Sequence, residues 1–370
     1  MAENRGSLHQ TLAGRHLPAL DGIRAVAVFT VIAYHFGIDA VPGDLGVSAF
    51  FVLSGFLITW LLLREYEASG TLSLRQFYVR RVLRIFPAYY AFIAVSYALD
   101  SVRGDHWPDG LGPSAVFYVV NYYNALHGHP VTSIAHAWSL GVEEQFYLMW
   151  PILLLLLLRG GTMRAARVLA VVIAGVMVWR CALYLGMRVG TAYVYNAFDT
   201  RFDNLAVGCV LALTASAPWL QRVAGRLAGS PLAPVATLAA LLVSRTALGN
   251  TYHYAVGFTV DAVLVAVLIV QLLQLSRSGL WSWLESPPAR YLGAISYPLY
   301  LWHLWGLGVG HRFQAAGLVG EFVAGLLACI VLASGSYYLI ERPFLALKRR
   351  FEVAPPAVGP AASGAQLIRS

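Results

Sequence analysis

The sequence predicts an all-α integral membrane protein, a bundle of about ten transmembrane helices with both termini in the cytoplasm. Three observations carry this expectation. Of 370 residues, 58% are hydrophobic and only 12% charged. A soluble domain carries about 25% charged residues, and half of that cannot cover the surface of a water-soluble protein this size. The apolar residues fall in long runs, such as 152–158 and 263–270, flanked by further apolar residues. Arginines collect in alternate short loops between these runs, the pattern of cytoplasmic loops.

A helix needs roughly 20 apolar residues to cross the hydrocarbon core. On that rule the spans fall near 20–38, 45–63, 83–101, 142–158, 167–187, 202–217, 233–249, 257–276, 290–310 and 318–340. One set of loops carries Arg64, Arg75, Arg80, Arg81 and Arg84, then Arg159, Arg164 and Arg167, then Arg222 and Arg226, then Arg277 and Arg290. The termini add Arg5, Arg15, Lys348, Arg349 and Arg350 to that side. The opposite loops hold Arg103, Arg188, Arg245 and Arg312, with Asp100, Asp105 and Asp109. The asymmetry places both ends in the cytoplasm and favours an even number of spans.

The remaining segments follow. Residues 1–16 form a polar, basic cytoplasmic segment. No small-residue cleavage site follows the first apolar span, so that span reads as a retained helix and not a signal peptide. Residues 17–350 form the membrane domain, and 351–370, rich in Ala, Pro and Gly, read as a disordered cytoplasmic tail. The longest connection, 100–137, is rich in Gly, Pro, His and aromatics, and a loop of that length is usually functional or partly folded. Cys181, Cys209 and Cys329 are scattered singly in apolar spans, which suggests neither a disulfide framework nor a metal site. The net charge of +8 sits at loop ends, where it faces a bilayer surface, and no nucleic-acid partner is expected.

Ionisable residues inside a membrane are costly, about 2.5–3.5 kcal/mol each on insertion scales, and default to functional hypotheses. Arg24 and His35 are eleven residues apart, three helical turns, so they share one face about 16 Å apart along the axis. Arg24 also reads as a snorkelling helix-end arginine, and His35 as an interhelical hydrogen-bonding residue. Glu143 and Glu144 open the fourth span from outside, at the expected level of His35. They also read as acids stabilised by a helix start. A carboxylate close to His35 would orient the imidazole as a general base requires. Arg80, Arg81 and Arg84 form a basic helix start that anchors the cytoplasmic side and suits a phosphate-bearing donor such as coenzyme A. Asp199 and Arg201 open the sixth span. Ser296, Tyr297, Tyr300, Trp302 and His303 line the ninth, where membrane packing is the competing reading. Glu341, Arg342 and Pro343 read as an ion pair with a helix stop.

These residues form a set. The sequence resembles the membrane-bound acyltransferase 3 family, which O-acylates sugars and related acceptors. The resemblance rests on Arg24 with His35; Phe50-Phe51-Val52-Leu53-Ser54-Gly55-Phe56; Arg80-Arg81 with Arg84 and Pro87; Trp138-Ser139-Leu140-Gly141-Val142-Glu143-Glu144-Gln145-Phe146-Tyr147; Ser296-Tyr297 with Tyr300-Leu301-Trp302-His303; and Glu341-Arg342-Pro343. It runs from about residue 17 to 350. It implies a ten-helix enzyme of the cell membrane that draws acyl-CoA, acetyl-CoA first among the donors, from the cytoplasmic side. His35 is then the catalytic histidine, as general base or acyl relay, with Arg24 and Glu143 as its companions, and the Arg80, Arg81 and Arg84 element holds the coenzyme phosphates. The carbohydrate or glycosylated acceptor is expected against Trp138, Glu144, Asp199, Arg201, Tyr297, Tyr300 and His303, with no metal involved. Some relatives carry an added extracytoplasmic esterase-like domain. None is evident here, so final transfer is expected in the bundle or on a partner. A proton-coupled transporter uses the same kinds of intramembrane residue and is the alternative class.

Overall fold

The computed structural model describes residues 8–12, 14, 16–277 and 279–351. Arg5, Arg15 and the tail from 352 onward lie outside the described residues. Within them all regular structure is helical, with no strand. The helices that position the site are α1 (Pro18–His35), α2 (Gly43–Ser69), α3 (Leu74–Arg103), α4 (Trp138–Leu158), α5 (Thr162–Cys181), α6 (Phe198–Thr214), α7 (Ala233–Thr246), α8 (Phe258–Leu275), α9 (Ser296–Gly310) and α10 (Gly317–Ser336).

Among the described residues six helices are long and apolar enough to cross a membrane, or seven if the pair Thr191–Thr214 and Pro218–Leu227, bent by 112°, counts as one span. Their outer faces carry Leu148, Val171, Leu185, Val331 and Leu339, large apolar side chains that no other helix covers. Lipid is the solvent that suits such faces. The helical run Ser296–Lys348 is two arms. Phe313 leaves helical geometry (φ −105°, ψ 20°) and Gly317 takes φ +74°. The chain folds back there, and α10 packs along α9, with Cys329 Sγ 3.4 Å from the His303 carbonyl.

Several boundaries differ from the sequence expectation. The span expected at 290–310 is broken. Ser286 caps a short helix, Pro287–Ala294, and Ile295 (φ −93°, ψ 9°) interrupts it before α9 starts. The third span begins well before residue 83, because Ser73 accepts the Gln76 N–H at 3.4 Å and caps α3 there. α7 stops at Thr246 after 14 residues. The connection 100–137 is folded. It contains the helices Leu111–Val116 and Val120–His127, and Asp100 ties it down by accepting from Trp107 Nε1 at 2.8 Å and Ser133 Oγ at 2.5 Å.

α2 and α6 meet almost backbone to backbone. A β-carbon on Gly55 would land on the Leu205 carbonyl oxygen, and one on Gly208 on that of Val52. Small residues at a helix crossing let two helices approach this closely in lipid. Gly55→Ala is therefore expected to destabilise by about 1–3 kcal/mol through overpacking, read as a lower midpoint of thermal unfolding in detergent. Gly175→Ala, with nothing within 4 Å of the new carbon, should leave that midpoint unchanged.

A buried polar cluster pins α5, α6 and α8 together. Arg180 and Asp203 are both fully buried and pair at 2.9 Å. Arg180 also donates to the carbonyls of Ala255 (3.0 Å) and Thr200 (2.8 Å) and to Thr259 Oγ1 (2.5 Å). The π-helical turn His253–Gly257 brings the Ala255 carbonyl to that guanidinium.

Candidate active site

A cavity opens between α1, α2, α3, α4 and α9. Its charged wall consists of Arg24 from α1, Arg81 and Arg84 from α3, and Glu143 and Glu144 from α4. Arg81 and Arg84 are three residues apart and so share a helix face. Among the described residues neither forms an ion pair; Arg81 instead lies over the Tyr147 ring at 4.6 Å. Arg24 Nη1 sits 3.5 Å from Asp21. Two guanidinium groups without ion-pair partners in a cavity are suited to bind phosphate through charge-assisted hydrogen bonds.

Glu143 is held on the cavity wall by two hydroxyls. Ser54 Oγ donates to it at 2.8 Å and Tyr147 OH at 3.1 Å, while Ser54 and Tyr147 are 2.9 Å apart. The rest of the lining includes Phe50, Phe51, Ser139, Tyr297 and Tyr300. Tyr300 OH donates to the His136 carbonyl at 2.9 Å and bonds Ser139 Oγ at 2.6 Å. Tyr297 OH donates to the Ile85 carbonyl at 3.1 Å, close to the helix-internal Pro87 of α3.

Behind Tyr300 lies a row of imidazoles. His303 Nε2 is 3.3 Å from His35 Nδ1, and the His303 ring stands 4.7 Å from that of His136. His303 and His136 are buried, whereas His35, the last residue of α1, is exposed. Among the described residues no group of three His, Cys, Asp or Glu side chains could hold a metal ion.

The expected pairing of His35 with Glu143 does not occur. His35 bonds His303 and the Val31 carbonyl, and Glu143 bonds Ser54 and Tyr147. The reason is axial level. His136, not Glu143, lies at the height of His35, and the seven residues from 136 to 143 descend about 10 Å along the helix. Glu143 thus reaches the arginine end of the cavity. Arg80 also departs from expectation. It pairs with Glu65 at 2.8 Å and donates to the Phe351 carbonyl at 3.0 Å, because it lies about 100° around the helix from Arg81. Asp199 and Arg201, two residues apart, point to roughly opposite sides of α6. Asp199 accepts from Trp179 Nε1 at 2.9 Å, while Arg201 turns inward.

Arg201 is fully buried, 3.8 Å from the Phe258 ring centroid and ringed also by Phe51, Trp138 and Tyr195. It donates to Ser48 Oγ at 3.3 Å, but among the described residues its Nε and Nη1 have no hydrogen-bond partner. Trp138 is buried against Tyr195, with centroids 4.8 Å apart. His129, in the connection 100–137, approaches both rings. Burial holds the His129 imidazole below its ordinary pKa, against a hydrogen bond with Asn196 that raises it.

The motifs read from the sequence agree with a comparison across families. The acyltransferase domain family matches residues 17–340. The chain belongs to the acyltransferase 3 family. Among curated relatives, a Bacillus subtilis protein named provisionally as a peptidoglycan O-acetyltransferase is 33% identical over 362 residues, covering 90% of this chain and 56% of the relative. The peptidoglycan O-acetyltransferase OatA of Listeria monocytogenes is 34% identical over 317 residues, covering 78% and 49%. A Staphylococcus aureus protein named provisionally as an O-acetyltransferase is 30% identical over 360 residues, covering 89% and 57%. The chain spans about half the length of these acyltransferase 3 relatives. No solved structure matches the chain.

Two cavity residues, Tyr147 and Ser54, and His136 in the imidazole row were not singled out from the sequence. Tyr147 follows Glu143 by four residues, a spacing that puts both on one helix face. Ser54 lies inside the 50–56 motif, which carried the resemblance as a whole and assigned Ser54 no role. His136 sits in a loop, where no periodicity marks a buried side.

Proposed function

We propose that the protein is a membrane O-acyltransferase that moves an acetyl group from acetyl-CoA to a hydroxyl of a cell-surface glycan, with His35 as general base. The observation that carries this reading is the cavity itself. It has arginines without ion-pair partners at one end and, at the other, a tyrosine backed by the histidine row. The relatives' names favour peptidoglycan as the acceptor. The reading includes ten crossings of the cell membrane with both termini in the cytoplasm. On this view α1, short and interrupted by Asp21 and Arg24, and the 14-residue α7 also cross, and α9 and α10 cross separately.

In this mechanism Arg81 and Arg84 hold the coenzyme phosphates, and the pantetheine arm runs outward past Phe50 and Phe51. His35 Nε2 takes the proton of the acceptor hydroxyl, whose oxygen attacks the thioester carbonyl carbon. The tetrahedral adduct collapses, the C–S bond breaks, and the departing thiolate takes the proton back from the imidazolium. Positioned proton transfer of this kind contributes about 10²–10⁴-fold. Glu143, held by Ser54 and Tyr147, keeps Arg24 and the cavity arginines in place and does not steer the imidazole. Arg201 meets an oxygen of the acceptor with its two unpartnered N–H groups.

The test uses purified protein in lipid, radiolabelled acetyl-CoA and soluble peptidoglycan fragments. Acceptor-dependent release of coenzyme A, with an alkali-labile label on the glycan, is expected. Arg81→Ala and Arg84→Ala should each remove a charge-assisted contact of about 1.5–3 kcal/mol, raising KM for acetyl-CoA about ten- to a hundredfold with little change in kcat. Intact thioester under all conditions, with label crossing the membrane, would instead support a carrier.

A further inference from the structure

We infer that His303 is a positioning residue that leaves Nε2 of His35 as the free base. The inference rests on the reading of His35 as the base and names what holds it there.

The argument uses the fact that a carbonyl oxygen can only accept a hydrogen bond. The Tyr300 carbonyl lies 2.7 Å from His303 Nδ1, so that nitrogen carries a proton. His303 is fully buried, and among the described residues it has no carboxylate partner, so its ring stays neutral. A neutral imidazole has one N–H and one lone pair. The lone pair of His303 is therefore on Nε2, 3.3 Å from His35 Nδ1. The Val31 carbonyl, a second acceptor, lies 2.9 Å from the same nitrogen. Both neighbours of His35 Nδ1 accept, so it donates, and His35 Nε2 is left bare and directed away from both. A free histidine side chain favours the opposite tautomer, with the proton on Nε2, and in that form Nε2 has no lone pair to accept a proton. The surroundings invert that preference.

Val31 alone does this less well. Its carbonyl also takes the helical N–H of residue 35, and one bond leaves the ring free to pivot. His303 comes from α9, a different helix, and fixes the ring plane from the side. His303 is itself held from behind by Tyr300, whose hydroxyl bonds Ser139 and the His136 carbonyl at the cavity's outer wall. Tyr300, which lines the cavity, His303 and His35 thus form one hydrogen-bonded series. The hydrogen bond that orients a catalytic imidazole usually comes from a carboxylate. Here a second imidazole takes that place, in the position where Glu143 was expected.

The test is 15N spectroscopy of the full chain in lipid bilayers with 15N-labelled histidine, the His35 signals assigned from their loss in His35→Ala. In the wild type, His35 should show protonated Nδ1 and bare Nε2. His303→Phe keeps a ring but has no acceptor, and should shift His35 toward the Nε2–H tautomer. His303→Gln supplies an acceptor oxygen and should retain the wild-type state. In acetyl transfer from acetyl-CoA to peptidoglycan fragments, His303→Phe should lower kcat about 10–100-fold, as loss of an orienting partner does, with KM for acetyl-CoA unchanged. His303→Gln should recover most of that loss. A wild-type His35 protonated on Nε2, or a tautomer unmoved by His303→Phe, overturns the inference and leaves the proposed reaction standing. Wild-type transfer by His35→Ala overturns the reaction and the inference with it.

Discussion

Replacing His35 with alanine is expected to lower acetyl transfer by about 10²–10⁴-fold, the contribution of a positioned general base, while leaving the fold intact. His35 ends α1 and is exposed. Truncating it opens no cavity in the core, and exposed substitutions usually fall within about ±0.5 kcal/mol. Its partners His303 and Val31 lose one polar contact each. Activity and stability should therefore separate cleanly. Transfer falls in a radiolabelled acetyl-CoA assay, and the thermal midpoint in detergent does not move. KM for acetyl-CoA should also stay near the wild-type value, because the cavity that Arg81 and Arg84 line does not include His35 among its lining residues.

The largest effect on stability is expected at Asp203. Asp203→Ala leaves the Arg180 guanidinium buried with its counter-charge gone, at a cost of about 3–5 kcal/mol. Thr259 Oγ1, which donates to Asp203 Oδ2 at 2.5 Å, loses its acceptor as well. The variant should be recovered in low yield and unfold at a much lower temperature in detergent. The double substitution Arg180→Met with Asp203→Leu removes both charges. It should regain much of the loss, since apolar replacement of a whole buried pair is often neutral or stabilising. If Asp203→Ala unfolds like the wild type, the pair is not holding α5, α6 and α8 together.

Much of this was legible in the sequence because lipid imposes a simple rule. Backbone groups in hydrocarbon must be satisfied within the helix, so apolar runs become helices. The paired elements around Arg24, Arg81, Arg84, Glu143, Tyr297 and Tyr300 do converge on one cavity. What the sequence did not reveal was relative height and rotation. Glu143 was expected beside His35 because both belong to outer helix ends, but α4 begins at Trp138 and has descended by residue 143. Arg80 and Asp199 adjoin residues that turn inward, and one or two positions along a helix carry a side chain to another face. His303 was read as an acceptor contact. Its part in holding His35 depends on a contact between α1 and α9, 268 positions apart in the chain, which no local spacing encodes. The folding of 100–137 depends on Asp100 accepting from Trp107 and Ser133, again a tertiary matter.

The most direct measurement places donor and acceptor on opposite sides of a sealed bilayer. Proteoliposomes are loaded with soluble peptidoglycan fragments, and radiolabelled acetyl-CoA is supplied only outside. Transfer through the bundle from the Arg81 and Arg84 end to His35 predicts coenzyme A release outside and alkali-labile acetyl ester on the enclosed glycan, both abolished in His35→Ala. Intact acetyl-CoA, or ester formed only when donor and glycan share one compartment, would contradict it.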